Sequence, residues 1–233
     1  MRKQMLWTGA SLLALTLLAG CASGSGDDKD NGIVNATAIA AFQTGARDSV
    51  EASDASAKGN LLVNGLSSNY SAEFAGTDGQ ATVKNRKQGT FKVIKVGQSI
   101  FVQGSIAFWK PYVGAAQATK INTRWARSRV DGPLASFTYF VDRNSFYRAS
   151  GRIKKGPVET VNGRECLTII DPKQNTDSTW WFDTKGKALA RKFKSGKLTR
   201  LTYAYDDVIV VQTPPAEQVV DISGLQLPAA TVR

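Results

Sequence analysis

The chain has 233 residues, 42% of them hydrophobic, and carries 30 Lys and Arg against 19 Asp and Glu, a formal net charge of +11. It has no histidine and only two cysteines, so it lacks the commonest general base and transition-metal ligand. This excludes Ser-His-Asp and Cys-His catalysis, and with no clustered Asp/Glu pattern such as an EF-hand loop, no metal site is expected.

Taken from the N-terminus, Arg2 and Lys3 precede an apolar stretch, Leu12 to Leu18, that closes on Leu18-Ala19-Gly20-Cys21. A positive start, a short hydrophobic run and small residues before a cysteine form the signal of an exported lipoprotein. The run is shorter than the roughly 20 residues of a spanning helix. Residues 1–20 are therefore expected to be a signal peptide. Cys21 becomes the first mature residue, its thiol carrying a diacylglycerol and its amine open to a further acyl chain. Residues 21–32, rich in Gly, Ser and Asp, are expected to be a flexible tether, and residues 33–233 one domain. Removal of the signal takes two basic residues and no acid, so the surplus of positive charge persists and favours anionic surfaces. Lys84, Arg86 and Lys87 fall on a probable strand, as on a solvated sheet face, and no nucleic-acid motif accompanies them.

Ile33 to Asp48 reads as a helix, with Gly45 weakening its last turns. From Val50 the texture becomes that of a meander: strands near 52–63, 68–76, 80–86, 90–96 and 99–103 are separated by Asn64-Gly65, Thr77-Asp78-Gly79, Gln88-Gly89 and Gly97. Ser105 to Gly114 and Pro133 to Arg148 hold aromatic residues at helical spacing, which predicts short helices on either side of Trp125. A second meander follows the Asn162-Gly163 hairpin signal, with strands Glu165 to Ile170, Thr179 to Asp183, Leu189 to Lys194 and Leu198 to Tyr205. In the last of these Leu201, Tyr203 and Tyr205 alternate with polar residues. Cys166, inside an apolar segment and without a disulfide partner if Cys21 is lipidated, is expected to be a buried thiol acting as a small hydrophobe. The predicted fold is α+β: a single curved antiparallel sheet with helices over its concave face. Periodicity leaves open whether those helices fill the trough or roof a cavity.

The order of these motifs resembles the LppX/LprG family of actinobacterial lipoproteins, whose fold is similar to that of the carrier LolA. The residues that carry the resemblance begin with the lipobox through Cys21 and the segment Val96-Gly97-Gln98-Ser99-Ile100-Phe101-Val102-Gln103-Gly104. They continue with Phe108-Trp109 and Trp125, Thr160-Val161-Asn162-Gly163-Arg164, and Trp181-Phe182-Asp183 with Lys185-Gly186. The last are Tyr205-Asp206-Asp207 leading to Pro214-Pro215, and Val219-Val220-Asp221. The resemblance implies a half-open β-barrel with a hydrophobic cavity that holds the acyl chains of a lipid or lipoglycan for transfer across the envelope. The implied partners are that lipid, the membrane surface and a membrane transporter; nucleic acid is not expected, and the chain is expected to act as a monomer. No cofactor is expected beyond the covalent diacylglycerol on Cys21 and a non-covalent lipid.

A carrier needs a dry trough, because each buried CH₂ contributes about 0.8 kcal/mol, and basic residues at its rim to read a headgroup. The wall candidates are Phe91, Val93, Ile100, Val102, Leu167, Ile169, Trp181, Leu201 and Tyr203 on the sheet, with Phe137 and Phe140 from the cover. Each is equally suited to an ordinary core. The alternative function is a membrane-anchored adaptor or sensor that binds a membrane protein or wall polymer through its surface, with Trp109, Trp125, Trp180 and Trp181 as anchors. An enzyme is disfavoured. Asp206 and Asp207, like Lys154 and Lys155, are neighbours in extended chain and face opposite ways, so neither pair would share a site.

Overall fold

The computed structural model describes residues 29–173, 176–205 and 207–225; Cys21, Asp206 and the signal segment lie outside them. Helix α1, Ala38–Glu51, starts at Thr37, whose hydroxyl accepts from the Ala40 amide at 3.2 Å, an ordinary N-cap. The helix thus begins five residues after Ile33, which is buried ahead of it.

Five strands follow as a meander, each paired antiparallel with the one before: β1 Asp54–Val63, β2 Leu66–Ala75, β3 Asp78–Asn85, β4 Gly89–Val96 and β5 Ser99–Gln103. Their turns sit where the sequence places them. Asn64 and Gly65 have φ of 50° and 77°, the left-handed pair that a tight hairpin demands. Helix α2, Ile106–Ile121, is capped by Ser105 and is broken at Gly114, whose φ of 75° and ψ of 168° are not helical. The expected helix ends at that break, and a second helical piece continues beyond it. Trp125 then opens a strand, β6 Trp125–Arg129, paired with β5.

The expected helix over 133–148 is instead two short 3-10 helices, Ala135–Phe140 and Arg143–Phe146. Strands β7 Lys154–Val161, β8 Arg164–Asp171, β9 Ser178–Asp183, β10 Ala190–Ser195 and β11 Thr199–Ala204 form the second meander. Strand β11 pairs with β1, which fuses the two meanders into one sheet. The last strand, β12 Val219–Asp221, lies parallel to β6. The sheet is therefore mixed rather than wholly antiparallel, because the chain after β11 crosses to the far edge and arrives running the same way as β6. Among the described residues the strands run in the order β12-β6-β5-β4-β3-β2-β1-β11-β10-β9-β8-β7. The sheet is not closed into a barrel.

The last residues of the expected tether, 29–32, are docked on the domain. The Asn31 amide donates to Thr184 O at 3.0 Å, its side chain donates to Asp183 O at 2.8 Å, and the Gly186 amide donates to Lys29 O at 2.8 Å. The chain joins the domain at the β9–β10 loop. No helix among the described residues is long and apolar enough to cross a membrane.

Candidate functional site

The concave face is one continuous apolar surface. Its central strand, β1, contributes the small inward residues Ala55 and Ala57, flanked by Ala72, Ala81 and Ala190 from neighbouring strands. Low side chains here leave room for the layer above, and these alanines share one buried cluster with Phe137, Phe140 and Phe146 of that layer.

Ten of the eleven wall candidates belong to this face. Phe91, Val93, Ile100, Val102, Leu167, Ile169, Leu201, Tyr203, Phe137 and Phe140 are all buried in one hydrophobic cluster. They touch one another across the space between sheet and roof. Phe91 stacks on Phe108 of α2 at 4.8 Å and meets Phe140 edge-on at 5.3 Å, while Phe137 lies 6.0 Å from Phe91. At these candidate positions the structure has packed core.

Trp181 is the exception and a correction. It points to the convex face, against Val161 and Cys166, and donates its indole N–H to Glu159 at 2.8 Å. Its neighbour Trp180 is the inward residue, edge-on to Phe42 of α1 at 4.9 Å and 5.4 Å from Phe193. Strand parity dictates this: Trp180 pairs with inward Ile169 and Phe193, while Trp181 pairs with Thr168. Cys166 is buried as expected. Its burial, reinforced by the Asp183 carboxylate 3.6 Å away, pushes the thiol pKa up to about 12.

Two buried aromatic donors on the sheet bond to the roof, besides the bonds from the Leu134 amide to Ser128 and from Arg143 to Gly76 O. Tyr70 of β2 donates to Phe140 O at 2.7 Å, and Trp180 of β9 donates to Phe146 O at 2.9 Å. Between these pins lies a group of tyrosines that the wall candidates did not include: Tyr70, Tyr139, Tyr147 and Tyr205 gather around Tyr203. Burial raises the pKa of all five, most in Tyr70, Tyr147 and Tyr203. The Tyr203 hydroxyl is buried and makes no hydrogen bond among the described residues, an arrangement that costs roughly 1–3 kcal/mol in a dry core.

A cleft of about 550 Å³ opens at one end of the trough, where α1 ends beside the β2–β3 turn. Its inner wall is Phe74 and Val141, both members of the concave core, and its rim carries Arg143 and Lys95 with Glu51 and Asp142. Arg143 donates to Ser49 O at 3.2 Å and to Gly76 O at 2.9 Å. A cation therefore caps the C-terminal end of α1, where the helix dipole favours it. Burial pushes its pKa down, opposed by Tyr205, Tyr147 and the carboxylates of Asp54 and Asp142. Nothing in the pattern around residue 143 distinguished this arginine. The alternation of Leu201, Tyr203 and Tyr205 did point to the tyrosine group.

The architecture is that of an open half-barrel, one curled sheet roofed on its hollow side. No protein-family model matches the sequence, and no curated protein matches it. Among solved structures the fold is similar to that of LprF from Mycobacterium bovis, an LppX/LprG-family lipoprotein. The identity is 10% over 76% of this chain and 96% of that chain, with a TM-score of 0.48. It is also similar to an uncharacterized conserved protein from Thermus thermophilus, at 8% identity over 76% of this chain and 96% of that one, with a TM-score of 0.44. The likeness is one of fold, and the functional reading rests on this chain's own residues.

Proposed function

We propose that this chain is a non-catalytic envelope lipoprotein, anchored through Cys21 on the outer face of the cell membrane, that holds the acyl part of a lipid or lipoglycan beneath its roof. It presents that lipid or carries it across the envelope. The observation behind this reading is the 550 Å³ cleft, whose inner wall is concave core and whose rim holds Arg143 and Lys95 beside Glu51 and Asp142. An acyl chain entering there would run toward Tyr203, displacing aromatic roof side chains, while its headgroup met a rim of mixed charge, Arg143 and Lys95 beside Glu51 and Asp142. Burial of about 0.8 kcal/mol per CH₂ offsets the loss of aromatic contacts once a chain is long enough.

The roof that must yield is short and irregular. It consists of two 3-10 helices and a helix broken at Gly114, elements with few backbone hydrogen bonds of their own. No cofactor takes part in the proposed function, and the proposed partners are the lipid, the membrane surface and a transporter that loads or empties the site.

Val141→Trp narrows the cleft without adding charge. Titration with a fluorescent long-chain fatty-acyl probe is expected to show saturable binding to the parent chain and at least about tenfold weaker binding to this variant. Equal binding by both would remove the cleft from the account, and no saturable binding by either would remove the function.

A further inference from the structure

The register across the middle of the sheet places six cations together on the convex face. In one row the outward residues of β10, β11, β1, β2, β3 and β4 are Lys192, Thr202, Lys58, Ser71, Thr82 and Lys92. In the next, the same strands contribute Lys194, Arg200, Asn60, Asn69, Lys84 and Thr90. Half of these positions are basic, none is acidic, and all the others carry a hydroxyl or an amide. Among the described residues, none of the six cations forms an ion pair. Lys194 and Arg200 are direct cross-strand partners, a like-charge pairing that destabilises a sheet.

We infer that this band is a binding surface for a linear anionic polymer of phosphodiester-linked polyol or sugar units. The band runs across the strands, along the curl of the sheet, and spans about 24 Å from β10 to β4 at roughly 4.8 Å per strand. A flexible chain can follow that convex line, whereas a flat bilayer meets only its crest. No position of the two rows is apolar, and the exposed Leu198 lies in the turn between β10 and β11, outside them. The band also has no free aromatic face for stacking bases: Trp181 at one end lies under the Lys192 ammonium at 4.4 Å, and Trp125 beyond the other end is buried. The serine, threonine and asparagine side chains between the cations suit polyol and sugar hydroxyls. Beside Lys92 the band borders a groove of about 350 Å³ lined by Ser71, Thr82 and Trp125, and also by Glu73 and Gln80 of the next row, which are hydrogen-bonded to each other. The chain after β11 covers the apolar cluster of Ile94, Phe101 and Trp125 through Val211 and Val219. The band itself stays open, for Lys58, Lys84, Lys92, Lys194 and Arg200 are all exposed. The inference stands apart from lipid binding, since none of these residues reaches the concave side.

The test is binding of poly(glycerol phosphate) to the full-length chain in a non-ionic detergent. Three proteins are compared: the parent, the variant Lys58→Gln/Lys84→Gln/Lys92→Gln/Arg200→Gln, and a control of equal net charge, Lys110→Gln/Lys120→Gln/Arg152→Gln/Lys187→Gln. The band variant is expected to bind at least tenfold more weakly, with a shallower salt dependence, and the control to stay within about twofold of the parent. If the fourfold variant does not fold, the pairs Lys58→Gln/Lys92→Gln and Lys84→Gln/Arg200→Gln carry the same comparison. Equal losses in band variant and control would reduce the effect to net charge and overturn the proposal. So would absence of binding by the parent, or equally tight binding of a single-stranded oligonucleotide or anionic vesicles.

Discussion

Gly45 sits in α1 where the helix presses on the Phe182 ring, and a Cβ at this position would lie 2.4 Å from that ring. Helix propensity alone favours alanine by about 1 kcal/mol, but overpacking a buried contact costs roughly 1–3 kcal/mol. Gly45→Ala is therefore expected to lower the urea midpoint, a net loss of about 1 kcal/mol; a raised midpoint would show that α1 can lift off the sheet freely. The same scale governs alkaline behaviour. The folded chain holds the Cys166 thiol protonated up to about 12 against an ordinary value of 9.0. Burial also raises Tyr70, Tyr147 and Tyr203 well above 10.0. The unfolded chain loses these protons first, so this stabilisation is complete below about pH 9 and falls as pH rises toward 12. Absorbance from Tyr70, Tyr147 and Tyr203 is expected to titrate in step with loss of the circular dichroism signal rather than ahead of it. Early titration of every tyrosine in a folded chain would contradict the buried group.

The element on which function turns is the roof, held by the bonds from Tyr70 and Trp180 to the carbonyls of Phe140 and Phe146. The double variant Tyr70→Phe/Trp180→Phe removes both donors, each lost bond costing about 1 kcal/mol, and the smaller ring at the buried position 180 adds a packing loss. Amide hydrogen exchange over residues 135–147 is expected to speed up about tenfold or more, with strands β1 to β5 unchanged; uniform acceleration would mean that roof and sheet open as one unit. Elements of this kind were the hardest to read from sequence. The first meander was legible because its turns carry residues that tolerate positive φ, such as Asn64 and Gly65, and because inward Val83, Phe91 and Val93 alternate with polar residues. Aromatic spacing alone does not separate a 3-10 helix from an α-helix, so the pattern over 133–148 is equally that of either. Strand β6 lacks a β-branched run and exists through its pairing with β5 and β12. Trp181 was misplaced because β9 is apolar on both faces, Trp180 and Phe182 inside and Trp181 outside, so alternation is silent there and long-range register decides.

For the whole molecule, the sheet separates two surfaces of opposite chemistry. The hollow side is greasy, with a tyrosine group and a rim arginine, and it is packed by its own roof at the positions read as cavity wall. The outer side carries charge in rows fixed by register. The proposed anchor, Cys21, lies outside the described residues, eight positions before Lys29, which is docked at the β9–β10 loop. A span of that length reaches at most about 28 Å, which keeps the domain close to the membrane surface in the proposed function. That function demands that the roof give way to a guest, and the guest has a mass. Native mass spectrometry of the chain carrying Cys21→Ser, so that no covalent lipid contributes, measures it directly after purification from a bacterial envelope. The expected spectrum shows the chain mass plus one lipid, lost on collisional activation and extractable into organic solvent. A spectrum of bare chain alone, unchanged after incubation with envelope lipids and in the Tyr70→Phe/Trp180→Phe variant, would mean that the hollow is permanent core and that the protein holds no lipid there.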